Sequence, residues 1–139
     1  MAELFAYGTL MCPDIMRDVC GVDTTGLVAR LAAFRRLRVR NEDYPGIVPS
    51  PAHSVTGMVY PDVHDTAWRL LDAFEGEMYS REQVQVRLAT GKWLDAQAYV
   101  IRPAFRGFLE DRDWDFEQFL HDGGKARFRR SYRPWTPPG

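Results

Sequence analysis

Two short segments far apart in the chain carry reactive residue types in compatible settings: Tyr7-Gly8-Thr9-Leu10 and Leu71-Asp72-Ala73-Phe74-Glu75-Gly76. The first follows a short apolar run and reads as a glycine turn at the end of a buried strand. Successive N–H groups of such a turn hold an anion or a polarised carbonyl oxygen, and Thr9 adds a hydroxyl. The second segment closes an amphipathic helix in which Ala67, Leu70, Leu71 and Phe74 recur at three- and four-residue spacing. Glu75 borders that apolar stripe in the last turn, where desolvation and the negative end of the helix dipole both favour a protonated carboxyl. A glutamate that titrates nearer neutral pH accepts a proton from an amine and returns it to a leaving group, as one acid/base residue must. The plainer alternative for Glu75 is an exposed glutamate before a helix-ending glycine. Tyr79 reads either as a phenol over the same cavity or as a core-edge aromatic. Arg81 reads either as a bidentate clamp on a substrate carboxylate or as an exposed residue at a strand start.

Other chemistries find little support. The sequence has no Gly-x-Ser-x-Gly, no Walker-type loop, no Cys-x-x-Cys and no His-Glu-x-x-His. His53, His64 and His121 are scattered singly and read as surface or capping residues, so no metal site is expected. Lys and Arg number 18 against 19 Asp and Glu, which leaves no global field to recruit nucleic acid or an anionic membrane. The arginine clusters at 35–40 and 127–133 read as solvated strand and helix faces, with nucleic-acid binding as the competing reading. No stretch approaches the length of a membrane span, and the first residues lack the pattern of a secretory signal. Cys12 and Cys20 bracket one short helix, too far apart for a disulfide, which fits a reducing cytoplasm.

The elements that must position these residues form a single domain over residues 1–139, long enough for one core, with the last few residues frayed. Strands are expected over Glu3–Tyr7, Phe34–Arg40 with its arginines facing solvent, and Val55–Tyr60, with a proline-rich connection over Asn41–Pro51. Helices are expected over Pro13–Cys20, ended by Gly21, and from an N-cap at Asp65 to Gly76. Gln83–Leu88 and Trp93–Ile101 alternate around Thr90-Gly91-Lys92 and read as a hairpin. A C-terminal helix opening at Asp113 is expected to pack across the sheet.

Taken in order, Leu4-Phe5-Ala6-Tyr7-Gly8-Thr9-Leu10, Tyr44-Pro45-Gly46-Ile47-Val48-Pro49, Val55-Thr56-Gly57-Met58-Val59-Tyr60 and the run from Leu71 through Arg81 resemble the gamma-glutamylcyclotransferase-like superfamily. The nearest branch is that of small bacterial proteins, plant avirulence-induced-gene proteins and gamma-glutamylamine cyclotransferases, whose plant members Trp114-Asp115-Phe116-Glu117 also resembles. The resemblance implies an α+β fold, a mixed β-barrel flanked by helices, with the glycine turn and Glu75 facing one cavity. It implies a cofactor-independent reaction in which the α-amine of a γ-glutamyl substrate attacks its own γ-carbonyl, forming 5-oxoproline and releasing an amine. Glu75 would be the acid/base residue, and Tyr7, Gly8, Thr9 and Leu10 would hold the γ-glutamyl unit, with Tyr79 and Arg81 as further substrate-binding candidates. Glutathione-degrading members usually carry a Tyr-Gly-Ser-Asn turn, so Leu10 points away from glutathione. A non-catalytic small-metabolite-binding protein on the same fold is the alternative.

Overall fold

In the computed structural model, which describes residues 2–134, strand β1 (Ala2–Ala6) is apolar throughout its buried half because both of its faces are covered. Leu4 and Ala6 pack with the helices, while Phe5 and Tyr7 join a second core with residues of the other strands. Beyond a short 3₁₀ turn over Thr9–Met11, helix α1 (Pro13–Cys20) starts on a proline and ends at Gly21 in the left-handed conformation, as its sequence predicts.

Strands β2 (Leu27–Val39) and β3 (Pro45–Val63) form a long antiparallel ribbon, paired from Leu27 with Val59 to Arg38 with Pro45. Both are longer than the expected strands, and most of the predicted Asn41–Pro51 connection is itself strand. Its prolines misled the reading, since Pro45 occupies a strand's first position while Pro49 and Pro51 lie at an irregularity. There the pairing jumps from Ala32–Ser54 to Phe34–Pro49, opposite Ala33 at φ 64°. Proline is tolerated in a sheet at both kinds of place.

Helix α2 (Asp65–Glu75) begins one residue earlier than expected, with His64 rather than Asp65 in the N-cap position. The hairpin of β4 (Tyr79–Leu88) and β5 (Trp93–Ile101) is present and starts at Tyr79, ahead of the predicted Gln83. The expected helix from Asp113 is displaced: Asp113 ends a short strand, β6 (Leu109–Asp113), which pairs with β2. The helix waits for Asp115, whose side chain accepts from the Gln118 N–H at 2.9 Å and caps α3 (Phe116–His121). Gly123, at φ 83°, then separates α3 from α4 (Gly124–Ser131). The fraying expected of the extreme C-terminus falls on residues 135–139, outside the described residues.

The strands run β3-β1-β5-β4-β2 and close again through the β2–β3 ribbon, with β6 appended to β2. Among the described residues only the β1–β5 pair is parallel, so the barrel is mixed and, with its helices, the fold is α+β as expected. Phe5, Leu31, Ile47, Val55, Val59 and Val86 fill one core, and Leu4, Met16, Trp68, Leu71, Phe119 and Phe128 fill a second between barrel and helices.

The arginines of β2 are not all a solvent face. Arg35 pairs with Asp111 and Asp113, and Arg38 and Arg127 share Asp43. Arg36 turns inward, and its Nη1 donates to the Tyr7 carbonyl at 2.8 Å, because the C-terminal segment covers this part of β2 with Trp114. In the C-terminal cluster Arg129 pairs with Asp14 and Asp18, so much of the positive charge read in these clusters is neutralised within the chain.

Candidate active site

The backbone leaving β1 tightens at Gly8, where Met11 N–H donates to the Gly8 carbonyl at 3.0 Å and Cys12 N–H to that of Thr9 at 3.1 Å. The N–H groups of Gly8, Thr9 and Leu10 precede the first of these bonds and are left over by the turn itself. Gly8 is required here by a close approach rather than by its own dihedral angles: a Cβ would lie 2.9 Å from two ring carbons of Pro45.

Glu75 is delivered from the other side by the last turn of α2. Gly76 donates its N–H to the Asp72 carbonyl at 3.1 Å and adopts φ 74°, ψ −163°, a combination open essentially to glycine alone. Tyr132, just beyond α4, donates its hydroxyl to the Phe74 carbonyl at 2.7 Å and so fixes the same helix end. Gly76→Ala should therefore cost about 1–3 kcal/mol of folding stability, read as a lower urea midpoint at unchanged slope.

Together these elements line one cavity that opens to solvent. Tyr7, Gly8, Thr9 and Leu10 line one side, Glu75, Tyr79 and Tyr99 line another, and Tyr44, Pro45, Phe74, Phe128 and Tyr132 complete an aromatic wall. The phenols are tied down by their own hydroxyls: Tyr79 donates to the Pro45 carbonyl at 2.7 Å, Tyr7 to that of Tyr99 at 2.5 Å, and Tyr99 to Asp72 Oδ1 at 2.7 Å. Burial raises all three above the ordinary tyrosine range, so at neutral pH they are donors and never phenolates.

The Glu75 carboxyl has no hydrogen-bond or ion-pair partner among the described residues, and no lysine, arginine or histidine lines the cavity. Burial pushes its pKa up to about 8, and the Asp72 carboxylate one turn earlier adds to the rise. The direction matches the expectation, with Asp72 as a cause that the sequence reading did not name. A carboxyl held above its unfolded value binds its proton more tightly in the folded state, so stability falls as pH rises from about 4.5 to about 8 and then levels. Replacing Glu75 by glutamine removes that penalty. The melting temperature of the variant should exceed that of the parent above pH 8 by an amount equivalent to a few kcal/mol, and the two should converge near pH 5.

The structure thus brings Glu75, the Tyr7–Leu10 turn and Tyr79 to one cavity. Arg81 is not among its lining residues: it lies beyond Asp72, with its guanidinium 4.6 Å from the centre of the Trp68 ring and its Nε 3.6 Å from Asp72 Oδ1. Tyr44, Pro45, Tyr99, Phe128 and Tyr132 were missed as site residues. Tyr99 carried a weak signal in the alternation of β5, but nothing local marks Phe128 or Tyr132, whose places depend on the break at Gly123. No group of His, Cys, Asp and Glu suited to a metal ion occurs among the described residues. Cys12 and Cys20 are free, buried thiols, and burial lifts Cys12 to about 11, which leaves it unreactive. No helix among the described residues is long and apolar enough to cross a membrane.

A family model described as "Gamma-glutamyl cyclotransferase, AIG2-like" matches residues 4–116. AIG2-like protein D of Arabidopsis thaliana is 31% identical over 140 residues, covering 95% of this chain and 89% of that protein. A solution structure of an Arabidopsis thaliana protein superposes with a TM-score of 0.68 at 26% identity, over 93% of this chain and 87% of that one. A structure titled "Gamma-glutamyl cyclotransferase" shares the fold with a TM-score of 0.65 at 18% identity, over 99% of this chain and 91% of that one.

Proposed function

Because the chain belongs to the gamma-glutamyl cyclotransferase, AIG2-like family, we propose that it cyclises a small γ-glutamyl amine or peptide to 5-oxoproline with release of the amine. The observation that carries this reading is the meeting, in one cavity, of an unpartnered carboxyl with a raised pKa and a turn with N–H groups to spare. In its ionised form Glu75 takes a proton from the substrate's α-ammonium, and the freed amine attacks the γ-carbonyl carbon. The carbonyl oxygen becomes an oxyanion held by the N–H groups of the turn. On collapse the bond from that carbon to the departing nitrogen breaks. The attacking nitrogen gives up two protons in all and the departing nitrogen takes up two, so Glu75 serves as base and acid in turn and ends as it began.

The cavity walls hold amine and carbonyl in contact, which converts the reaction into a pre-oriented intramolecular closure. The same turn offers its remaining N–H groups and the Thr9 hydroxyl to the γ-glutamyl α-carboxylate. No step in this scheme calls on a cofactor. Arg81, outside the cavity, has no assigned contact with substrate and acts instead on Asp72.

The test is incubation of the purified protein with γ-glutamyl amino acids, γ-glutamyl-lysine isopeptide, γ-glutamyl amines and glutathione, following 5-oxoproline by mass spectrometry. Product from one class, absent with Glu75→Gln, is the expected result and names the leaving group. A folded protein that binds these compounds and releases no 5-oxoproline would overturn the reading in favour of a metabolite-binding role.

A further inference from the structure

Arg36 stands on β2 behind the Tyr7–Leu10 turn, where the reaction scheme above gives it no part. Its Nη1 donates to the Tyr7 carbonyl at 2.8 Å and to the Thr56 carbonyl at 3.1 Å, and its guanidinium lies 5.4 Å from the centre of the Trp114 ring. Its Nε is buried and has no hydrogen-bond partner among the described residues. Arg35, Arg38, Arg127 and Arg129 each reach a carboxylate, whereas Arg36 forms no ion pair among the described residues. Burial lowers its pKa, with the more distant Asp115 foremost among the groups that oppose this. A guanidinium nonetheless stays protonated at neutral pH, so a positive charge is held here against two carbonyls and an aromatic face, with no ion-paired carboxylate among the described residues. Holding a desolvated cation without a counter-ion is unfavourable, which calls for a reason at this position.

The reason lies in which carbonyl it touches. The carbonyl of Tyr7 and the N–H of Gly8 are two ends of one peptide unit, and in a trans peptide they point in opposite directions. None of the described peptide bonds is cis. A charge-assisted bond to the carbonyl polarises the unit and strengthens the donor at its other end. Gly8 lines the cavity, and its N–H makes no bond within the turn. We infer that Arg36 is a positioning residue for the proposed cyclisation, conveying its positive charge through the Tyr7–Gly8 peptide so that the Gly8 N–H binds the developing oxyanion more strongly. This rests on the cyclotransferase reading, and on the cover that Trp114 provides against water, which keeps the charge from being screened.

Two variants separate charge from hydrogen bonding: Arg36→Gln keeps a donor for the Tyr7 carbonyl without the charge, and Arg36→Lys keeps the charge. With a turned-over γ-glutamyl substrate, Arg36→Gln should lower kcat about tenfold or more with KM nearly unchanged, and Arg36→Lys should recover most of the loss. The rising limb of kcat/KM against pH should stay where it is, because burial and Asp72 set the Glu75 pKa. An unchanged kcat, with only KM or melting temperature altered, would overturn the inference and leave Arg36 a structural brace. The Gly8 amide proton gives an independent reading by NMR without any substrate. It should move upfield in Arg36→Gln and return in Arg36→Lys, while the Cys12 amide holds still. A Gly8 proton that does not move overturns the inference even if 5-oxoproline is formed. If the parent forms none, the cyclotransferase reading fails and the amide proton alone decides whether the charge reaches the turn.

Discussion

Glu75→Gln should reduce 5-oxoproline formation by about 10³-fold or more while leaving the protein folded. Removing a general acid/base is ordinarily worth about 10²–10⁴ in rate, and the proposed scheme routes every proton through this one carboxyl. Glutamine matches glutamate in shape, so the cavity should keep its walls and its affinity for the substrate. The loss would then fall on kcat, with KM little changed. The thermal comparison described above supplies the control, because a variant at least as stable as the parent above pH 8 cannot owe its inactivity to unfolding. The pH profile adds a second readout. With a pKa of about 8, only about one molecule in ten carries the ionised base at pH 7, so kcat/KM should climb roughly tenfold between pH 7 and its plateau. A rising limb near pH 4.5 would show that Glu75 titrates like an exposed carboxyl and would remove the physical basis for its assignment. Residual turnover in the variant equal to that of the parent would move the acid/base role elsewhere.

Gly57→Ala should destabilise the fold strongly, because the added methyl group would meet backbone. Gly57 lies on β3 where β1 passes, paired with Ala29 of β2 on its other side. A Cβ there would stand 2.3 Å from the Ala6 carbonyl oxygen and 2.8 Å from the Phe5 ring. The obstacle is backbone, and the barrel is closed, so neither strand can swing aside without opening the sheet. Overpacking of this kind costs about 3 kcal/mol, equivalent to a fall in melting temperature of about 10 °C for a domain of this size. The displaced segment is Ala6, which leads directly into the Tyr7–Leu10 turn, so turnover should fall as well. A melting temperature within a degree or two of the parent would mean that the β1–β3 approach is looser than the structure shows.

The sequence carried the site's two chemical halves because each is a local signal. A strand running into Gly8 and an amphipathic helix stopped by Gly76 are both written within about a dozen residues, and the raised pKa of Glu75 followed from its place at the end of an apolar stripe. Periodicity likewise revealed α2 and the β4–β5 hairpin, and Pro13 and Gly21 marked the two ends of α1. It failed where a long-range partner overrides local preference. Pro45, Pro49 and Pro51 read as a loop, yet β2 pairs along almost the whole segment and accommodates them at a strand start and an irregularity. Asp113 read as the start of a helix because β6 is five residues long and exists only through its pairing with β2.

By itself the sequence determined the glycine turn and the acid/base candidate, since turn chemistry and hydrophobic spacing act over one or two turns of chain, and it carried the fold class only through the resemblance of its ordered motifs to a family. Only the tertiary structure decided what surrounds them. Barrel closure set Pro45 against Gly8 and Arg36 against the Tyr7 carbonyl, the break at Gly123 swung Phe128 and Tyr132 over Phe74, and the pairing with Asp72 drew Arg81 away from the cavity. All but the Arg81–Asp72 pair join residues far apart in the chain, where spacing along the sequence carries no information about distance in space.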